Sequence, residues 1–295
     1  MKYTSGGAFR RALEERLRTT SIQRGVSLVR LRKMVAFDRF LARLIRYQPD
    51  QWVVKGGLAL QLRLRERART TKDIDVRVIT QIQAVYPALK TAGALDLGDW
   101  FSFDVTQPKE QTPGDFGGVR IPIHTLLDGR AFENFHVDVG IGDPMIEAAD
   151  YLTTPPMLEF AGLEPVRVPC YPLTQQIAEK LHAYTRPRSS GESSRVKDFI
   201  DILLLAEFGE IYSDSLLEAI QATFQFANTH PLPENIPPPP GKWVQVFLKG
   251  ATEVGLGDIT LNWAFTRIQN FLDPALSGKV VGNRWDSTSW SWKPA

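Results

Sequence analysis

The 295-residue sequence predicts an α+β fold in which helices, a small mixed sheet and a mainly helical half follow one another. Apolar residues recur at near-helical spacing over residues 8–47 and again after residue 170. Between these regions, residues 73–79 and 119–141 alternate apolar and polar side chains, which is the pattern of strands with one buried face. The order of these patterns places the sheet between two helical regions.

The first strand, Trp52-Val53-Val54, is expected to be short, and the apolar segment after it is ambiguous. Residues 58–65 alternate leucines with other residues, as a strand would, yet they contain only Leu, Ala, Gln and Arg, which favour helices. We therefore predict a helix there. A strand over residues 73–79 and a helix over residues 81–92 should follow.

A hairpin is predicted over residues 119–141. Two β-rich runs, VRIPIHTLL and AFENFHVDVGI, flank Asp128-Gly129, a preferred pair for a tight hairpin turn. In the second run, His136 and Asp138 lie on the face opposite the apolar residues.

The rest of the chain is predicted to be helical, with two exceptions. Residues 173–184 carry an apolar stripe, and RVKDFIDILLLAEF, for which Ser193 or Ser194 is a candidate cap, is apolar nearly all round and should be buried. The exceptions are PLPENIPPPPG at residues 231–241, expected to be a stiff linker, and the tail NRWDSTSWSWKPA, expected to be poorly ordered. One or two helices should lie between them.

Composition excludes several classes of protein. The net charge of +2 does not indicate a polyanion-binding protein, although two local basic clusters could hold phosphates. These clusters are Arg63, Arg65, Arg67 and Arg69, and Arg186, Arg188, Arg195 and Lys197. Cys170 is the only cysteine, which excludes an intramolecular disulfide, and the four histidines are too scattered for a zinc cluster. With no secretory signal and no run of ~18 apolar residues, we expect a cytoplasmic protein without a membrane segment.

The candidate chemistry starts from two carboxylates. Asp73 and Asp75 are two residues apart in a strand, so their side chains project from one face about 6.5–7 Å apart along the chain. Because two such charges repel each other, a divalent cation such as Mg²⁺ would stabilise them. If the strand of Asp138 lies beside theirs, three carboxylates converge. Gly56-Gly57, between a strand and a helix, would let main-chain N–H groups hold a triphosphate.

The sequence then shows a family resemblance. The segments VKGGLALQL and TKDIDV resemble the DNA polymerase β-like nucleotidyltransferase superfamily. With QQIAEKLHAYTR and SSRVKDFIDILLL, the four motifs resemble the AbiEii/AbiGii (MenT-like) toxins of type IV toxin–antitoxin systems over roughly residues 53–205. The spacer between Gly57 and Asp73 is longer than is common in the superfamily.

This resemblance implies a bilobed fold, with a nucleotidyltransferase lobe at residues 1–165 and a helical lobe at residues 166–295 that completes the active site. It implies transfer of a nucleoside monophosphate from a nucleoside triphosphate to the 3′ end of tRNA, release of pyrophosphate and inhibition of translation. A cognate antitoxin is implied as partner, and a monomer is expected.

The motif positions carry the family's roles onto this chain. The predicted catalytic residues are Asp73, Asp75, Lys180 and Asp198. The predicted ligands of Mg²⁺ or Mn²⁺ are Asp73, Asp75 and Asp138. The predicted nucleotide-binding residues are Lys55, Gly56, Gly57, Thr71 and Lys72. Thr71 is also the position at which phosphorylation by the antitoxin would silence the enzyme. Independently, the edge position of Lys180 on its apolar stripe lets the stem be buried while the ammonium reaches a triphosphate.

Simpler interpretations stay open for several of these residues. Asp138 could simply be solvated, and Thr71 could form only a local hydrogen bond. Asp198 could be an ion-pair partner of Arg195 on its helix. Asp201 could pair with Lys197, four residues before it. His136 and His182 are expected to be structural histidines, and the tryptophans to pack in the core or be disordered rather than to stack on bases. Two other functions also stay open: transfer to a small-molecule or protein acceptor, and non-catalytic nucleotide binding.

Overall fold

A computed structural model describes residues 1–107, 118–187 and 195–295. These residues form two compact units. The first contains residues 1–65, 70–143 and 150–170, and the second contains residues 66–69, 144–149 and 171–295.

The first unit begins with two helices, α1 (Gly6–Arg24) and α2 (Leu28–Tyr47). The helical region predicted from residue 8 to residue 47 is confirmed, but it is broken at Gly25. Gly25 has φ 63°, a left-handed conformation that ends a helix at little cost in glycine. The apolar faces of both helices are buried in the core of this unit.

Seven strands form a mixed sheet in the described part of this unit: β1 (Val53–Lys55), β2 (Ile74–Val78), β3 (Phe101–Val105), β4 (Val119–Leu127), β5 (Arg130–Ile141), β6 (Asp150–Thr153) and β7 (Arg167–Cys170). Their order across the sheet is β3-β4-β5-β2-β1-β7-β6. The pairs β2–β5 and β1–β7 are parallel and the other pairs are antiparallel.

The ambiguous leucine segment is a helix, as predicted. Helix α3 (Gly56–Leu64) follows β1 without a loop, and helix α4 (Ile82–Gly93) follows β2. Leu58, Leu60, Leu62 and Leu64 are all buried. Because α3 is covered on almost every side, its leucines need not follow a 3.6-residue period, and this explains the strand-like alternation.

The predicted hairpin is also confirmed. Strands β4 and β5 pair in the antiparallel direction from Val119↔Val139 to Leu127↔Arg130. Asp128 and Gly129 both have positive φ, 53° and 67°, which is the conformation required of both central residues in a type I′ turn.

The second unit is mainly helical. Its elements are α5 (Leu173–Thr185), α6 (Val196–Ala206), α7 (Ser213–Ala227), α8 (Val244–Glu253), α9 (Leu261–Leu276), and a two-stranded ribbon of β8 (Asn283–Asp286) and β9 (Ser291–Pro294). Every residue of α6 except Lys197 is buried, in agreement with its predicted position in the core. The candidate caps Ser193 and Ser194, and Arg188 of the second basic cluster, lie outside the described residues.

Two predictions for this unit are wrong. Residues 231–240 contain no helix or strand, as their prolines predict, but they do not form a linker. Ile236 is buried, its N–H donates to Asp273 (2.8 Å), and Tyr184 donates to the carbonyl of Pro237 (2.5 Å). The tail is not disordered either. It forms β8 and β9, and buried Trp285 donates its indole N–H to the carbonyl of Ala206 (2.8 Å).

Among the described residues, no helix is both long and apolar enough to span a bilayer.

Candidate active site

The strand register brings the predicted site residues onto three neighbouring strands. Lys55 of β1 is opposite Asp75 of β2, and Asp75 is opposite Asp138 of β5. Asp73 immediately precedes β2. The adjacency of the strands that carry Asp75 and Asp138, which the sequence left as a condition, is therefore confirmed.

Gly56 is required by its contact with Asp75. It has φ 58°, and a Cβ placed on it would lie 2.6 Å from Cγ of Asp75, closer than such atoms come in proteins. The carboxylate of Asp75 therefore lies directly against the main chain at the start of α3. Main-chain N–H groups at a helix start attract anions, so the glycine pair and Asp75 form one small surface.

Asp73 is held by two residues that the sequence did not assign to the site. Nη2 of Arg120 donates to Oδ2 of Asp73 (2.6 Å), and the main-chain N–H of His136 donates to Oδ1 (3.1 Å). Nδ1 of His136 also lies 3.1 Å from Oδ1. Nη1 of Arg120 lies 3.5 Å from Oδ2 of Asp138. His136, expected to be structural, thus belongs to the carboxylate cluster, which consists of Asp73, Asp75, Asp138, Arg120 and His136.

The electrostatics of Asp138 favour an additional cation. Burial raises the pKa of this carboxyl group, the charge of Arg120 lowers it, and the charge of Asp73 raises it again, with a net increase above the ordinary value. Arg120 therefore compensates only in part for the cost of ionising Asp138 beside Asp73.

The residues of this cluster suit a hard divalent cation. In the described part of the chain, no three His, Cys, Asp or Glu side chains are close enough to form a ready-made metal site. Asp73 and Asp138 instead share a guanidinium group, a cation that stands between two carboxylates. Since Mg²⁺ and Mn²⁺ prefer carboxylate oxygens, the carboxylates of Asp73, Asp75 and Asp138 are the groups that would hold the ion.

The ammonium of Lys55 contacts a carboxylate that the sequence analysis did not find. Lys55 and Asp143 form a buried ion pair, and the main-chain carbonyl of Asp143 accepts a hydrogen bond from Arg77. Asp143 has room because Gly140 lacks a side chain, and a Cβ there would lie 2.7 Å from Cγ of Asp143. Asp143 therefore fixes the side chain at the end of β1, and nucleotide binding by Lys55 stays a prediction.

Thr71 and Lys72 differ in exposure. Thr71 is 7% exposed, and its hydroxyl donates to the main-chain carbonyl of Asp73 (3.1 Å). The local hydrogen bond considered for Thr71 is thus confirmed. Lys72 is exposed. Their predicted contacts with a nucleotide stay predictions.

The second unit contains a separate ionic cluster, made of Arg69, Lys180, Asp198 and Asp201. It is largely buried, with only the side chain of Arg69 as much as 23% exposed. Nζ of Lys180 lies 2.8 Å from Asp198 and 2.9 Å from Asp201, and Nη2 of Arg69 lies 3.1 Å from Asp201. Arg195 lies 3.7 Å from Asp198, so the suggested pairing exists, but Lys180 is the closer partner of this carboxylate. The suggested pairing of Asp201 with Lys197 is wrong, because Lys180 and Arg69 contact this carboxylate instead.

Both members of the Lys180–Asp198 pair are held in their charged forms. Burial acts to lower the pKa of Lys180, but the carboxylates of Asp198 and Asp201 outweigh it and hold the pKa above its usual value. Burial acts to raise the pKa of Asp198, but Lys180 outweighs it and holds the pKa below its usual value. The cluster is therefore a fixed charge network.

Most of the first basic cluster is paired with acidic residues. Arg63 contacts Asp150 (2.7 Å), Arg67 contacts Glu207, and Arg69 contacts Asp201. Arg65 is exposed at the end of α3. The cluster is thus not a row of arginines that are all available to phosphates.

The remaining aromatic and histidine predictions are largely confirmed. Nε2 of His182 lies 2.8 Å from the Thr229 hydroxyl, and the ring is buried, as expected of a structural histidine. Trp243, Trp285 and Trp290 are buried, whereas Trp263 is 41% exposed.

Comparisons with known proteins identify the family and the fold. The family model for the nucleotidyl transferase AbiEii toxin, type IV toxin–antitoxin system, matches residues 39–272. The fold is similar to that of MenT4, a nucleotidyltransferase toxin from Mycobacterium tuberculosis H37Rv, with a TM-score of 0.55 and 15% identity over 90% of this chain and 98% of that chain. JHP933 from Helicobacter pylori has a TM-score of 0.44 and 13% identity over 84% of this chain and 93% of that chain. No curated protein matches the sequence.

Proposed function

Because the chain belongs to the AbiEii family of nucleotidyltransferase toxins of type IV toxin–antitoxin systems, we propose that it transfers a nucleoside monophosphate to the 3′ end of tRNA and so inhibits translation. Nucleotidyltransferases of this family use a nucleoside triphosphate and a divalent metal ion, and we propose Mg²⁺, or Mn²⁺ in its place. The observation that supports the proposal most is the register of three neighbouring strands, which places Asp75 between Asp138 on β5 and Lys55, the residue before Gly56, on β1.

The reaction exchanges one phosphate ester for another. A terminal hydroxyl oxygen of the acceptor attacks the α-phosphorus, the bond from the α-phosphorus to the oxygen bridging to the β-phosphate breaks, and pyrophosphate leaves with that oxygen. The hydroxyl proton passes to a base. A bound divalent cation neutralises charge on the phosphates and helps to align the two oxygens.

The chain's own residues supply position and charge. Main-chain N–H groups at Gly56 and Gly57 bind phosphate oxygens, helped by Lys72, while Lys55 borders the site with its ammonium on Asp143. Asp73, Asp75 and Asp138 would hold the metal ion. We further propose that Lys180 and Asp198 are required for the activity, as the later motif residues of the family.

A small-molecule acceptor is the second candidate, and one observation favours it. Arg63, Arg67 and Arg69 are paired with carboxylates, which reduces the positive charge available to an RNA backbone. A protein acceptor, or nucleotide binding without catalysis, has no such support.

The test is incubation of the protein with total tRNA, Mg²⁺ and each of the four α-³²P-labelled nucleoside triphosphates. We expect label on the 3′ end of tRNA with at least one nucleotide, and release of pyrophosphate in equal amount. Pyrophosphate release without labelled tRNA, in the presence of small-molecule or protein acceptors, would favour the other acceptor classes. Nucleotide binding with neither product would contradict an enzyme.

Regulation by the antitoxin is proposed at Thr71, in the cytoplasm where tRNA is found. A phosphate on Thr71 would replace its hydrogen bond to the carbonyl of Asp73 and add about −1.5 to −2 charge beside Asp73 and Asp75. Because Thr71 is buried, a modifying enzyme must first expose it. Intact-mass spectrometry after co-expression with the genomic neighbour tests this, and a silenced protein with unmodified Thr71 would contradict it.

A further inference from the structure

Arg120 lies directly beside the carboxylates that would hold a metal ion. It is the cross-strand partner of Asp138 in the β4–β5 pair, so both side chains project from the same face of the sheet. From there its guanidinium donates to Oδ2 of Asp73 at 2.6 Å and lies 3.5 Å from Oδ2 of Asp138.

These contacts leave Asp73 with a protein partner on each oxygen. Arg120 donates to Oδ2, and the main-chain N–H of His136 donates to Oδ1. A metal ion can take a carboxylate oxygen only by sharing or replacing such a donor. The main-chain N–H of His136 is fixed in β5, whereas the guanidinium of Arg120 is at the end of a flexible side chain.

Exposure sets how firmly Arg120 is held. The side chains of Arg120, Asp73 and Asp138 are 43%, 24% and 34% exposed. Ion pairs with such access to water contribute little to stability. A divalent cation bound by two or three carboxylates gains more than this, so the guanidinium is weak enough to be displaced.

We propose that Arg120 is a resident counter-ion that holds Asp73 and Asp138 in the metal-free protein, and that a divalent cation binds by displacing its guanidinium from Asp73. This proposal rests on the proposed function, because it takes the same carboxylates as metal ligands. It assigns Arg120 a positioning role: the side chain keeps two like charges together until the metal arrives.

The experiment measures Mn²⁺ binding to the full chain without nucleotide, by loss of the free-ion signal in electron paramagnetic resonance. Arg120→Gln removes the competing cation, and we expect it to bind Mn²⁺ about fivefold more tightly than the wild type, which corresponds to about 1 kcal/mol. Arg130→Gln is the matched control. It removes the same charge from an exposed position eight residues from Asp138 on β5, about 26 Å away along the strand and beyond the screening length.

A second readout is thermal unfolding. In EDTA, Arg120→Gln should melt below the wild type because Asp73 and Asp138 lose their cation, and saturating Mg²⁺ should remove the difference. Equal Mn²⁺ affinity for the wild type and both variants, or a melting difference unchanged by Mg²⁺, would overturn the role of Arg120 and leave the metal site intact. Absence of Mn²⁺ binding in all three proteins would overturn this proposal and the proposed metal site together.

Discussion

The two ionic clusters of this protein contain the same kinds of groups but differ in burial. In the first unit, Arg120 contacts Asp73 and Asp138 with all three side chains at least 24% exposed. In the second unit, Lys180 contacts Asp198 and Asp201 with side chains 12%, 9% and 0% exposed. An exposed cation can be exchanged at small cost, whereas removal of a buried one leaves an uncompensated charge. The cation of the first cluster can therefore be exchanged, as the proposed metal binding requires, whereas the second cluster holds fixed charges.

The largest expected effect is on catalysis in the carboxylate cluster of the first unit. Asp75→Asn keeps the shape of the side chain but removes a carboxylate that is proposed to bind the metal ion, so turnover in the tRNA-labelling assay should fall by ~10³-fold or more. The free energy of unfolding, from urea denaturation, should change little. Activity within a few-fold of the wild type in this folded variant would remove Asp75 from the mechanism.

The next effect should be on stability in the buried cluster. Lys180→Met removes the cation that Asp198 and Asp201 share. Because Arg195 and Arg69 still lie near these carboxylates, we expect a loss at the lower end of the range for a broken buried ion pair, about 3 kcal/mol in the free energy of unfolding. Arg120→Met, its counterpart in the carboxylate cluster, should lower the free energy of unfolding by no more than about 1 kcal/mol.

Urea denaturation of both variants at pH 7 makes this comparison. Similar losses for Lys180→Met and Arg120→Met would show that burial does not distinguish the two clusters. Because Lys180 is also proposed to be required for activity, its turnover should be measured under conditions in which the variant is fully folded.

A smaller effect should appear in acid. The pKa of Asp198 lies below its ordinary value of 3.8, so its contribution to stability is complete above about pH 4 and is lost as the pH falls through the lowered pKa. Asp198→Asn should therefore reduce the steepness of the stability loss below pH 4, measured by urea denaturation at a series of pH values. An unchanged acid profile would show that this pair does not control acid stability.

The smallest effect concerns RNA binding. If tRNA is the acceptor, its affinity should fall as salt rises, and Arg65→Gln should reduce the slope of log K against log salt by about 0.7–0.9 if this residue contacts a phosphate. Arg67→Gln is the matched control, since Arg67 is paired with Glu207, and should change the slope less. Equal changes would mean that the ion pair does not restrain Arg67. Affinity that does not depend on salt would favour a small-molecule acceptor.

The carboxylates of the carboxylate cluster could be predicted from the sequence, because local patterns determine the strand face on which each of them lies. Strand alternation places Asp73 and Asp75 on one face, and the polar face of the hairpin carries Asp138. Arg120 is on that same hairpin, but its contact with Asp73 follows only once β4, β5 and β2 lie side by side. The ion pair between Asp143 and Lys55 could not be predicted for the same reason, because the two residues are 88 positions apart in the chain.

The errors in the second unit also have physical causes. Prolines at residues 231–241 exclude regular structure, but they do not prevent Ile236 from being buried. The tail has no regular alternation of apolar and polar residues, so its two-stranded ribbon was not predicted. Its tryptophans stabilise the ribbon through the large apolar area that they bury, which a periodic pattern does not reveal. The pairing of Asp201 was misjudged because local spacing favoured Lys197, whereas Arg69, 132 residues away, and Lys180 are its neighbours in space.

The most direct measurement is a crystal structure with Mn²⁺ and a non-hydrolysable nucleoside triphosphate, using anomalous scattering to locate the metal. We predict an anomalous peak coordinated by carboxylate oxygens of Asp73, Asp75 and Asp138, phosphates at the Gly56-Gly57 helix start, and the guanidinium of Arg120 no longer bonded to Asp73. A nucleotide bound with Mn²⁺ at other residues, while Arg120 still bridges Asp73 and Asp138, would contradict the account.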